Sequence, residues 1–210
     1  MHLLLLQYAF AGLCSYYVTF WVVCGLLYLF IDEAPTSPRQ TIRVVLTNQF
    51  LVTPIFVSGL LGVGQSLYEV PTREFSWSDT VGRLALTALV VDLLFLILHR
   101  SYHRPALYHL HKLHHQKTVD VTPMDSNYCH WTEMVFVNLL AVIPPILLFR
   151  LSTFQLCLWF SIVAFDTTKS HSSGLFRIHP RLAPHVIHHT KQTNPYGSSL
   201  GLFETALAPL

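Results

Sequence analysis

Leu3 to Ile31 is an almost unbroken apolar run, longer than the roughly 20 residues a helix needs to cross the hydrocarbon core of a bilayer. Such a run leaves a chain few folds, because backbone polar groups in lipid must be satisfied within the protein. A second run, Val44 to Val63, is interrupted by Pro54, Gly59 and Gly62 and followed by Gly64; membrane helices tolerate such residues. Val81 to Leu98 is cleaner and leads straight into His99. The block Met134 to Phe165 contains Pro144, Pro145 and Arg150, and reads either as a hairpin of two short or tilted helices or as one broken helix. Only His2 precedes the first run, which is too long for the apolar core of a cleaved secretory signal and reads as an anchor.

Composition agrees. Hydrophobic residues make up 52% of the 210 and charged residues 11%, against roughly a quarter charged in a soluble domain. The polar segments between the runs are too short to fold alone. The expected fold is therefore all-α, an integral membrane helical bundle of about four to five spans, with 1–210 forming a single membrane domain. Ile31 to Arg43, carrying Asp32, Glu33, Pro35 and Pro38, reads as a plain connector. The net charge of +2 comes from scattered basic residues rather than a basic stripe, so nucleic acid is not expected as a partner. Cys14, Cys24, Cys129 and Cys157 form neither a CxxC motif nor a disulfide framework.

The chemistry lies in the histidines, of which there are 13. His99 and His103 form HxxxH, His111, His114 and His115 form HxxHH, and His185, His188 and His189 repeat HxxHH. Residues i, i+3 and i+4 neighbour one another on a helix, so each HxxHH reads as a face carrying three ligands. One histidine on a polar loop is as readily a surface residue, but that reading does not account for three such boxes. Neutral imidazole suits iron, zinc, copper or nickel, and a surplus over the four ligands of a usual zinc site argues for two metals. Attack on an unactivated C–H bond needs a redox metal, which zinc is not; iron is the expected ion.

The histidine segments after Leu98 and after Phe165 share a side only if the block between them crosses the membrane an even number of times. With that topology Arg39, Arg43, Arg100, Arg104, Lys112, Lys117, Lys169, Arg177, Arg181 and Lys191 fall on the histidine side, and Arg73, Arg83 and Arg150 on the other. The excess of basic residues predicts histidine boxes that face the cytoplasm.

The stretch from Asp92 to Glu133 contains His99-Arg100-x-x-His103, Pro105, Leu107-Tyr108, His111-Lys112-x-His114-His115, Pro123 and His130-x-x-Glu133. It resembles the fatty acid hydroxylase and sterol desaturase superfamily. The likeness continues through His171-Ser172-Ser173-Gly174, His185-x-x-His188-His189, Tyr196-Gly197 and Leu202-Phe203-Glu204. The resemblance implies N-terminal spans over 1–80 and a catalytic region over 81–210, with a cytosolic histidine-rich helical cap. It also implies a di-iron centre of two Fe ions, with O2 as co-substrate, that hydroxylates or desaturates a sterol or fatty acyl chain in lipid biosynthesis. Carried over by position, the metal ligands are His99, His103, His111, His114, His115, His171, His185, His188 and His189. Some fatty-acid members use a further histidine where this chain has Thr167. Leu96-Ile97 replaces an aromatic pair before the first box, and Phe203-Glu204 a Trp-Asp near the end. The chain carries no GxGxxG fingerprint and no room for a haem domain, so an external electron donor of cytochrome b5 or ferredoxin type is expected. The expected location is the endoplasmic reticulum in a eukaryote or the inner membrane in a bacterium.

Asp92 lies in an apolar span on the face of His99, where an ionisable group suggests function. It is expected either to orient His99 or to hydrogen-bond another helix. His130 and Glu133, one turn apart, read as supports behind the ligands or as a capping pair. His2, His109 and His179 are assigned no role. The alternative function is a histidine-rich membrane metal transporter or sensor. Transporters place ligands at the bilayer midplane on broken helices, whereas these boxes follow the helix ends. A non-catalytic membrane scaffold is the third reading, and three intact boxes speak against it.

Overall fold

Helix closes every backbone hydrogen bond within its own segment, so the apolar runs become helices. The computed structural model describes residues 2–31, 37–64, 68–193, 195–198 and 200–204. Among these it has helices and no strands. Helix α1 is His2–Phe30. Helix α2, Pro38–Thr47, passes through a π turn, Asn48–Val52, into α3, Thr53–Gly64. Helix α4, Trp77–Tyr102, is followed by the short α5, Pro105–His111. Two 3-10 turns, His114–Gln116 and Pro123–Asn127, lead to α6, Trp131–Glu133. A second π segment, Met134–Leu139, joins α6 to α7, Leu140–Leu148. Then come α8, Thr153–Ser170, α9, Ser173–Ile178, and α10, His185–Lys191.

Among the described residues, four stretches are long and apolar enough to cross a membrane: Leu3–Phe30, Pro38–Val63, Trp77–Tyr102 and Trp131–Leu148. The protein is an all-α membrane helical bundle. The block from Met134 to Phe165 forms the hairpin, with α7 running out and α8 running back. Its turn contains Arg150 at φ 49°, a left-handed conformation that costs a non-glycine residue roughly 1–2 kcal/mol. Three contacts hold that turn. Arg83 Nη1 donates to Phe149 O at 2.6 Å, Tyr8 OH donates to Leu151 O at 2.8 Å, and the Arg150 guanidinium lies 5.9 Å from the centre of the Tyr68 ring. Ser152 and Gln155 cap α8 reciprocally, so the chain re-enters helix at once.

This hairpin gives the bundle two ends. At one end the start of α1 packs on the hairpin turn through Leu5, Tyr8, Ile146, Leu151, Leu156 and Trp159. At the other, Phe20 and Cys24 of α1 meet Val45 of α2, Met124, Tyr128 and Ala164 of α8. The ends of α4 and α8 and the start of α6 all reach this second end, which carries the histidines. Helices α1 and α8 lie along one another, and Gly12 permits it. A Cβ there would stand 2.8 Å from Leu156 Cδ2 and 2.9 Å from Phe160 Cδ2, the kind of close approach that small residues allow in membrane bundles.

Two boundaries differ from the sequence reading. The connector ends sooner, because Pro38 starts α2; proline at the first helical position is preorganised for helix and gives up no needed amide. Arg39 and Arg43 are thus helical. Helix α4 also runs past Leu98, so His99 lies in its last turn and one span does carry a histidine. Asp32, Glu33 and Pro35 of the connector, and the chain end at Leu210, lie outside the described residues.

Candidate metal centre

The nine histidines come from five places: the end of α4 (His99, His103), the end of α5 (His111), the 3-10 turn after it (His114, His115), the end of α8 (His171) and α10 (His185, His188, His189). They gather into two groups. His99, His103, His111, His115 and His188 form one, and His114, His171, His185 and His189 the other; within each, one nitrogen per residue lies within 4.8 Å of all the others. All except the half-buried His103 are buried.

Each HxxHH box contributes to both groups. On a helix, successive residues are turned by roughly 100°, so i and i+4 differ by about 40° while i+3 and i+4 diverge by about 100°. His99 with His103, His111 with His115, and His185 with His189 are i, i+4 pairs, and each pair stays in one group. His114 and His188, the i+3 members, turn to the opposite group. The sequence reading of one three-ligand face per box is corrected by this divergence.

Backbone carbonyls fix the tautomers. Nδ1 donates to Tyr196 O from His99 at 2.7 Å, to Tyr128 O from His114 at 3.2 Å, and to Thr167 O from His171 at 2.8 Å. His188 Nδ1 donates to Thr193 O at 2.7 Å, and His189 Nδ1 to Lys117 O at 2.9 Å. A carbonyl only accepts, so a neutral ring bound this way carries its lone pair on Nε2. The rings outside the spans are held neutral. Burial, reinforced by neighbouring imidazoles, pushes His103 down to about 3 and His188 down to about 2. Burial alone pushes His111 down to about 3. His171 falls to about 3 by burial and the neighbouring His114, and His114, His115, His185 and His189 are also pushed down, chiefly by burial.

These tautomers cannot satisfy the contacts by hydrogen bonding alone. His99, His111, His103 and His188 form a row whose successive Nε2 atoms are 3.1, 3.0 and 2.9 Å apart. Three hydrogen bonds in a row of four atoms require a donor at one end and an acceptor at the other. Here both ends, His99 and His188, are acceptors. In the second group His114 and His171 point two lone pairs at each other across 3.4 Å. Both ring nitrogens of His115, and Nε2 of His189, are buried with no hydrogen-bond partner among the described residues. A cation among the nitrogens removes the conflicts between facing lone pairs and takes up Nε2 of His189 and one nitrogen of His115, so the donor set fits a metal ion in each group.

Glu133, fully buried, brings Oε2 to 2.9 Å from His111 Nδ1, behind the ligand rather than among the nine. His130 caps α6 by accepting from Thr132 N at 3.3 Å. The hydrogen bonds of Asp92 among the described residues do not go to His99. Asp92 accepts from Ser198 Oγ and from Leu202 N, the latter at 2.9 Å, and so ties down the segment whose Tyr196 carbonyl receives His99. Glu204 holds the same segment through Tyr196 N and Gly197 N. A Cβ on Gly197 would lie 3.1 Å from Glu204 Oε2. His109 is exposed, and His179 caps a 3-10 turn, Pro180–Leu182.

Beside the histidines lies a cavity of about 660 Å³, within the usual range for ligand pockets of roughly 300–1,000 Å³. Leu84, Ala88, Val91, Phe95, Val142 and Phe160 line it with other residues, and His171 and His185 stand in its wall. Thr167 stands there too, where some fatty-acid members have a further histidine.

Residues 84–208 match the family model for fatty acid hydroxylase. Fatty acid hydroxylase domain-containing protein 2 of Homo sapiens is 32% identical over 167 residues, covering 78% of this chain and 49% of its own length. A putative methylsterol monooxygenase of Dictyostelium discoideum is 29% identical over 184 residues, 80% of this chain and 65% of its own length. A very-long-chain aldehyde decarbonylase of Oryza sativa subsp. indica is 29% identical over 146 residues, 66% of this chain and 52% of its own length. The chain thus spans about half the length of the first of these relatives. No solved structure matches it.

Proposed function

Because the chain belongs to the fatty acid hydroxylase family, we propose that it is an O2-dependent di-iron oxidoreductase that hydroxylates, or desaturates, a membrane lipid of the sterol or fatty acyl kind. One observation carries this reading: two buried histidine groups lie beside an apolar cavity, with His171 and His185 in both the site and the cavity wall. The relatives named as a monooxygenase and a decarbonylase support oxidative lipid chemistry.

In this reading the group of five histidines holds one iron and the group of four the other. The irons supply the redox chemistry that activates O2 against a C–H bond, which zinc lacks. The chain does the rest. The backbone carbonyls of Tyr196, Tyr128, Thr167, Thr193 and Lys117 hold five rings with Nε2 facing the centre, and Glu133 stands behind His111, the outer support that orients metal-bound histidines. The apolar cavity wall keeps water from the substrate and presents its hydrocarbon next to His171 and His185.

The electrons come from an external cytochrome b5-type or ferredoxin-type donor. The excess of Lys and Arg at the histidine end orients that end to the cytoplasm, in the endoplasmic reticulum or in a bacterial inner membrane. The test is metal content: the purified chain loaded anaerobically with ferrous iron should retain about two irons, and His115→Ala about one. Binding of no iron by the intact chain would defeat the proposal.

A further inference from the structure

One buried polar group in the cavity wall takes no part in the histidine site. Gln49 sits on the π turn between α2 and α3, is 1% exposed and lines the cavity. Trp21 Nε1 donates to its Oε1 at 3.0 Å. An indole nitrogen only donates, so this contact identifies the amide oxygen and leaves the amide nitrogen as the free end. Nε2 is buried and has no hydrogen-bond partner among the described residues.

The side chain is also held in place. Tyr17 OH donates to the backbone carbonyl of Gln49. The preceding Asn48 donates from Nδ2 to Asn127 O at 3.0 Å and to Cys129 O at 2.9 Å. The π turn is thus tied to the segment that leads from the second histidine box to α6. Single π turns inside helices recur at functional sites, and a buried donor left unpaired is costly. A fixed donor on a residue bordering a largely apolar cavity calls for an acceptor on whatever fills it.

We propose that Gln49 is a specificity-determining residue whose Nε2 receives an uncharged hydroxyl or carbonyl oxygen of the lipid substrate inside the cavity. This rests on the reading of the cavity as the substrate site and adds which lipids it takes. The acceptor is uncharged because no Lys or Arg is among the described residues lining the cavity, whereas Asp166 is; Asp166 pairs with Lys169 at 3.4 Å. A free carboxylate would find no compensating cation. With the oxygen held at Gln49 and hydrocarbon beside His171 and His185, the distance between them selects which carbon reacts.

The test is equilibrium binding of radiolabelled lipids to the full chain in detergent, which needs no turnover. One pair is a 3-hydroxysterol and its 3-deoxy counterpart; the other is a long-chain primary alcohol and the n-alkane of equal length. The intact chain should prefer the oxygenated member of one pair by about tenfold, the responding pair telling sterol from acyl substrate. Gln49→Met should abolish the preference while leaving binding of the deoxygenated member unchanged. Equal affinity within both pairs, or an undiminished preference in Gln49→Met, overturns the proposal. Should Gln49→Met fail to fold, the intact chain still decides: a carboxylate of the same chain length that binds as tightly as the alcohol overturns it. If no lipid of either pair binds, the cavity is not the substrate site and the broader functional reading fails as well.

Discussion

Five of the nine clustered histidines turn Nδ1 to a backbone carbonyl, and that choice determines what the remaining nitrogens can do. Rings fixed in this way are built to stay neutral, and protonating one means charging a buried group beside others like it. The consequence for stability has a definite sign. An unfolded histidine titrates near 6.5, whereas His103, His111 and His171 are pushed down to about 3 in the fold. The unfolded chain therefore binds more protons across that window, and stability falls as pH drops from about 6.5 towards 3. Metal-free protein in detergent, followed by circular dichroism, should lose thermal stability steadily over that range and change little between pH 7 and 8. The identity of these residues is legible in the sequence, because i, i+3 and i+4 spacing is a local property. Their division into five and four is legible only once the helical phase is applied to each box. The carbonyls of Tyr196 and Thr193 leave no sequence trace, since any residue supplies a carbonyl. Gln49 shows itself only as an amide in an apolar run.

The elements that bring these residues together depend on close packing of the spans. Helix α1 carries no clustered histidine, yet it buries the return helix α8, whose end supplies His171. At Gly12 a Cβ would run into Leu156 and Phe160 of α8. Gly12→Val should destabilise the bundle by about 1–3 kcal/mol through overpacking, whereas Gly25→Val in the same helix, where a Cβ meets nothing within 4 Å, should leave stability unchanged. Thermal unfolding of the two variants side by side makes the comparison, and equal loss in both would contradict the packing assigned to α1 and α8. Sequence periodicity locates the spans but not this contact, because a glycine in an apolar run looks the same whether it faces a helix or lipid. The π turns at Asn48–Val52 and Met134–Leu139 are equally hidden, each being set by how a span meets its neighbours.

At the scale of the molecule, the fold places polar chemistry at one end of a bundle whose other end is the hairpin turn. The demand that the histidine segments meet in one place anticipates a chain that turns back between them, and the hairpin of α7 and α8 returns it to the histidine end. The cavity was not legible, since it is walled by residues from most of the bundle. The central claim joins the histidine end to that cavity: the metal groups oxidise a lipid lying in the bundle. The most direct test is the lipid profile, by mass spectrometry, of cells expressing the intact chain beside cells expressing His114→Ala or His188→Ala, each variant removing one ligand from a different group. The account predicts a hydroxylated or desaturated lipid that accumulates with the intact chain in the presence of O2 and is absent with either variant, although both variants insert in the membrane to the same level. Identical profiles for all three, at equal expression, would contradict it.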